Sequence, residues 1–312
     1  MLREGIATRV APMIPYTRRA WLPMLVSPRG SLSPGVMRRV LAFGVIAAAL
    51  WLAHRHIPRV SLSIGIHEVA GAVIALILAF RTNTAYNRFW EGRTLWGSIV
   101  NASRNITRIV NAHAAVDPGA AREVAVWVVV FVHAARRSLR RQAERPEIER
   151  LLPAEQVEAL SAHPHPPLRA AQQVSERLAA FVRAGSLERN MAVCAEEQLS
   201  VLVNCLGGCE RILKTPTPLG YILLLQRGVA LYLATLPLAL VEALGVLTPV
   251  VTMLVAYPVL MIEALGGELD DPFGHEPNDL PLTRICDTIE RDLLGSSPLH
   301  LVMASKAESY QD

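Results

Sequence analysis

Cysteine, histidine and carboxylate side chains are the usual carriers of chemistry, and in this 312-residue chain they stand apart from one another. The four cysteines are Cys194, Cys205, Cys209 and Cys286, and none forms a C-x-x-C pair. Cys205 and Cys209 stand four apart, on one face of a helix, with no histidine at zinc spacing. A redox pair is the functional reading; buried small apolar side chains in a reducing compartment are the simpler one, and the one adopted. His163 and His165 flank Pro164, which suggests a metal, but such a pair in a loop is usually solvated surface. Glu68, Glu242 and Glu263 are the only acids inside long apolar runs. No H-E-x-x-H, phosphate loop or Gly-rich dinucleotide turn occurs, and no nucleophile stands at base spacing. The chain is therefore expected not to be an enzyme, and to need no metal or cofactor.

The elements that hold these residues are apolar. Of the chain, 52% is hydrophobic and 19% charged, against about 25% charged in a soluble domain. Mean hydropathy is +0.31. A net charge of +4, spread along the chain, gives no footprint for nucleic acid. The cations are almost all arginine, since Lys214 and Lys306 are the only lysines. The first long apolar run starts near Val40, too late for a cleaved signal.

Four spans are expected. The first is Val40–Ala53, whose 14 apolar residues fall short of the roughly 20 a span needs unless arginine stems extend it. The second is Ile57–Phe80, interrupted by His67 and Glu68. Two more lie in Leu219–Gly266, one to about Val241 and one from about Leu244 to Leu265. The run Val124–Ala134 is too short to cross and reads as a core helix. No period-two pattern appears, so the class is all-α. The segments expected are 1–39 (cytosolic), 40–80 (two spans), 81–218 (cytosolic helices), 219–266 (two spans) and 267–312 (cytosolic tail). Arginine is dense before residue 40 and within 81–123, and absent around 240–245, which orients both termini inward in a cell (inner) membrane.

The stretch Phe80-Arg-Thr-Asn-Thr-Ala-Tyr-Asn-Arg-Phe-Trp-Glu-Gly-Arg-Thr-Leu-Trp-Gly97 resembles the signature of the bestrophin family in its bacterial form. Arg29-Gly-Ser31, Gly207-Gly-Cys-Glu-Arg-Ile212 with Thr215-Pro216 and Pro218, and Asp271-Pro-Phe-Gly274 with Pro277-Asn-Asp-Leu-Pro281 are similar to three further family elements, in the family's order. The resemblance implies a homopentameric ion channel in membrane lipid. The second span of each copy would line an apolar neck, and cytosolic helices would enclose a vestibule with a second aperture. It also implies small monovalent permeant ions, associated with cations in bacterial members and with anions in animal ones. Cation preference is the expectation adopted. An anion (chloride) channel of the same fold, a secondary carrier and a non-conducting scaffold are the alternatives.

On a helix, Ala72, Leu76 and Phe80 share a slowly drifting stripe, and they match the family's three neck positions. Ordinary helix packing gives the same spacing. Ala72 replaces a usually bulky aliphatic residue, which shifts the constriction to Leu76 and Phe80. One turn outward lies Glu68, with His67 beside it. Five such glutamates at an outer mouth would concentrate cations, and His67 would add pH sensitivity. Equally, the two would pair with Arg55 or Arg59 at the interface. Arg81, Arg88, Trp90, Glu91, Arg93 and Trp96 read as structural pins, with an i,i+3 ion pair Arg88–Glu91 and arginine stacked on Trp90. Arginines near a pore that bind anions are the other reading. Counting back from Cys209 places Val193 at the family's cytosolic aperture, with Met191 or Ala195 as neighbouring registers. Glu268, Asp270 and Asp271 resemble part of an acidic calcium clasp. The run is broken by Leu269 and stopped by Pro272, so no tight calcium site is expected.

Overall fold

The computed structural model describes residues 34–57 and 61–295. Arg29–Ser31 and Arg59 lie outside these. Among the described residues there are ten α-helices and no strand. They are α1 Pro34–His56, α2 Ile64–His113, α3 Pro118–Arg140, α4 Pro146–Leu151 and α5 Ala154–Ala162, then α6 Pro166–Arg183, α7 Arg189–Lys214, α8 Leu219–Leu244, α9 Thr248–Glu268 and α10 Leu282–Leu294. The all-α expectation holds. The chain forms two compact units, one from residues through 89 with 216–272 and 276–279, the other from 90–215, 273–275 and residues from 280 onward.

The first unit holds α1, the first half of α2, α8 and α9. Its core is Val36, Val40, Leu78, Leu225, Val229, Leu233, Leu236, Ala256 and Leu260. Its outward face is equally apolar, with Leu41, Val45, Leu224, Leu231, Val250 and Leu254 exposed. A helix that is apolar all round is at home in lipid. Helix α1 packs along α9. Gly44 allows it, since a Cβ there would sit 2.5 Å from Met253 Sδ. Pro237 and Pro258 both lie inside helices and break neither. The break falls instead at Gly245, whose φ of 51° is left-handed. A 3-10 turn, Gly245–Leu247, follows, and Pro249 stands in the first turn of α9, where a missing N–H costs nothing.

Four stretches are long and apolar enough to cross a membrane: Pro34–His56, Ile64–His113, Pro118–Arg140 and Leu219–Glu268. The last is α8 and α9 together. Pro118–Arg140 differs from the others, because 61% of its most apolar window is buried within the chain, against 17–22% for them. It is α3, the central helix of the second unit, packed by α6 and α10. Asp117 caps it, Oδ1 accepting from the N–H groups of Gly119 (2.8 Å) and Ala120 (3.1 Å). Its buried face includes His133 and Arg136, which suits a folded core with polar partners. The candidates whose apolar windows are left mostly unburied by the chain are α1, the first part of α2, and α8 with α9.

Charge-free runs on these four helices cover 40–53, 69–80, 228–241 and 248–262. At 1.5 Å per residue each is about 18–23 Å long. That is short for a hydrocarbon core; Arg39, Arg81 and Arg227 each stand at one end of a run, where long stems let guanidinium groups reach the headgroups.

Candidate functional site

Helix α2 is packed on one face and open on the other. On one side Leu78 is buried, and Ile74 and Ile77 pack with it against the first unit's core. On the other side Glu68, Ala72, Leu76 and Phe80 are all exposed, Leu76 to 57% and Phe80 to 61%. The stripe continues as exposed Asn83, Thr84 and Asn87. It therefore changes from apolar to polar just after Phe80. Beside it runs an open apolar groove of about 690 Å³, floored by Gly71, Ala75 and Ala79 and closed by Tyr232, Ile262 and Leu265. Gly71 is needed there, because a Cβ would stand 2.9 Å from the Tyr232 hydroxyl.

Glu68 and His67 do not act together. Glu68 is exposed and has no partner among the described residues, so a pairing with Arg55 is not what the structure shows. His67 turns inward and is 7% exposed. Its Nε2 lies 3.0 Å from Thr235 Oγ1, and its ring packs on Tyr232. The Thr235 hydroxyl donates to Leu231 O at 2.7 Å, so His67 Nε2 is the donor to Thr235. The expectation of His67 at an outer mouth is corrected: adjacent residues on a helix lie about 100° apart, and the core took His67.

Two arginines below the stripe, Arg81 and Arg88, have partners different from those expected. Arg81 is buried and donates to Glu263 Oε1 at 3.3 Å. Glu263 also accepts from Arg39 (3.0 Å) and from Gln226 (3.2 Å). One carboxylate on α9 thus ties α1, α2 and α8. Arg88 bridges not to Glu91 but to Asp270, at 3.0 Å from Oδ1. Asp270 accepts from the Thr217 hydroxyl at 2.6 Å as well. Glu91 pairs with Arg211 on α7. Helical spacing pointed to the local pair, but arginine's reach lets it serve a different helix. Trp96 is fully buried, while Trp90 and Arg93 are exposed.

In the second unit Val193 is 52% exposed on α7, Ala195 is fully buried and Met191 is half-buried. Exposure singles out Val193 among the three registers. The cysteines are free thiols, and burial pushes Cys209 and Cys286 up to about 12, which keeps them as inert thiols. His165 is more than solvated surface. Its Nδ1 accepts from Leu168 N–H at 3.2 Å, capping α6, and its Nε2 meets Glu210 at 2.7 Å. A histidine serving as helix cap has weak sequence signal, since Ser, Thr, Asp and Asn dominate that position. Of the acids weighed for calcium, Asp270 is held by Arg88 and Thr217, and Glu268 accepts from Asn278 at 2.7 Å. No group of three or more His, Cys, Asp or Glu side chains among the described residues is placed to hold a metal.

Residues 13–295 match the model of the bacterial/fungal bestrophin proteins. This chain belongs to the bestrophin family. A voltage-dependent anion channel-forming protein of Nostoc sp. is 38% identical over 90% of this chain and 94% of its own. The Escherichia coli K12 protein of the same description, YneE, is 34% identical over 90% and 93%. The crystal structure of a bacterial bestrophin homolog from Klebsiella pneumoniae superposes with a TM-score of 0.80 at 33% identity, covering 84% of this chain and all of that one. The bestrophin resemblance read from residues 80–97 and the three flanking elements is therefore correct.

Proposed function

We propose that the chain forms a homopentameric channel in the cell inner membrane, passing small monovalent ions along the α2 stripe. The observation that carries this is the exposure of Ala72, Leu76 and Phe80 along one face of α2, whose opposite face packs against the first unit's core. Lipid is one way to cover such a face. Five copies around an axis is the other, and it gives the change from apolar to polar after Phe80 a purpose. Apolar rings shed water and set a barrier, and the polar residues below let the ion rehydrate. Ala72 makes the first ring wide, so Leu76 and Phe80 form the constriction.

The permeant ion in this reading is an anion. The expectation of cation preference has no support in the relatives, several of which are described as anion channel-forming. One residue favours the cation reading. Glu68 follows His67, which bonds Thr235, two turns inside the far end of α8. A bare carboxylate at that depth avoids lipid, and a ring of five would attract cations. A bilayer recording in asymmetric salt decides the sign through the reversal potential. Glu68→Gln moves that potential if the carboxylate faces the path. Phe80→Ala is expected to raise single-channel conductance; an unchanged value would remove Phe80 from the constriction.

A further inference from the structure

Arg227 has no role so far. It stands on α8, exposed, with no partner among the described residues. One turn to either side are Leu224 and Leu231, 65% and 67% exposed. A guanidinium on a lipid-facing apolar surface is costly unless something outside the chain neutralises it.

Its level on the helix indicates what does. The preceding residue, Gln226, donates to Glu263, the carboxylate that also takes Arg39 and Arg81. On one side of that level lie the charge-free runs of all four membrane helices. Arg227 therefore stands where the apolar layer ends and phosphate begins. A second copy has little to offer it there. The four acids at this end of α9 are Glu263, Glu268, Asp270 and Asp271, and each already has a partner.

We propose that Arg227 binds the phosphate of a phospholipid, with the acyl chains lying over Leu224 and Leu231, so that each chain carries one fixed lipid in the leaflet beside the Arg39–Glu263–Arg81 cluster. A guanidinium fork matches two phosphate oxygens. The site depends on the membrane placement of α8 and not on conduction, so an electrically silent protein leaves it intact.

The test uses the full chain, purified in mild detergent, with dioleoyl phosphatidylglycerol added and retained lipid counted by native mass spectrometry. One tightly held phosphatidylglycerol per chain is expected, reduced about ten-fold in Arg227→Gln and less in Arg227→Lys. Dioleoylglycerol, with the same tails and no phosphate, is expected to be retained about ten-fold less by the unaltered chain. This lipid-side comparison decides the matter even if the glutamine variant does not fold. Equal retention of the two lipids overturns the proposal. So does displacement of the lipid by an equal concentration of inorganic phosphate. So does an Arg227→Gln variant that loses its assembly while keeping its lipid, because Arg227 would then be holding a neighbouring copy.

Discussion

Glu263 shows how one residue's cost decides its surroundings. A carboxylate at the edge of an apolar layer is unfavourable alone. Here it is 7% exposed and receives Arg39, Arg81 and Gln226 from three other helices. The three donors do not contribute equally. Arg81 is as buried as the acid, whereas the Arg39 side chain is 47% exposed, so solvent screens its share. Glu263→Leu leaves Arg81 buried and uncompensated and is expected to cost about 3 kcal/mol. Arg39→Gln removes only the screened arm and is expected to cost under about 1 kcal/mol. Thermal unfolding of the two variants in detergent compares them directly. Equal losses would mean that the exposed arm holds the cluster as firmly as the buried one.

At the scale of elements, Gly44 lies where α1 packs on α9. Two effects of Gly44→Ala oppose each other. Alanine gains up to about 1 kcal/mol of helix propensity, while overpacking costs about 1–3 kcal/mol. The Cβ would meet Met253 Sδ at 2.5 Å and Cγ at 2.8 Å, so the clash is expected to win. Met253→Ala removes both atoms. In a double-mutant cycle the two changes are then expected to couple by about 1 kcal/mol or more; simple additivity of the measured stabilities would show that α1 and α9 are not held by this contact. Elements also show what could be read in advance. The run 124–134 was recognisable as core from its length alone, and the paired spans of 219–266 from their nearly charge-free apolarity. The boundary expected between Val241 and Leu244 falls at Gly245, because a left-handed φ ends a helix while a proline such as Pro237 inside a packed one is tolerated. The stripe Ala72–Leu76–Phe80 was legible as a periodicity, and its exposure was not, since packed and open faces share one spacing. Partners such as Arg88–Asp270, 182 residues apart, leave no trace in local spacing. His67 was placed wrongly for the same reason: Thr235 is distant in sequence.

Across the molecule, ionised carboxylates in the second unit make stability depend on pH. Glu290 is fully buried; burial pushes it up, but hydrogen bonds from His133 Nε2 and from Arg150 outweigh that and leave it below the usual carboxylate range. Glu147 is likewise lowered against its burial, by Arg136, and Glu210 against its own by Lys214 and His165. A carboxylate depressed in the folded state stabilises it fully at any pH above the unfolded-state value. That contribution disappears as pH falls through the depressed folded value, because the unfolded chain binds protons first. The contribution of these three carboxylates is thus expected to be complete down to about pH 5 and to fall below about pH 4.5. Glu290 contributes to this limb from a fully buried position, joining α10 to α3 and α4. Unfolding midpoints measured from pH 7 to 3 trace this directly. Glu290→Gln is expected to lower stability at pH 7, where His133 and Arg150 lose their anion, and to flatten the acid limb. An acid limb of unchanged slope in that variant would move the proton uptake to other carboxylates and leave Glu290 a neutral member of the core.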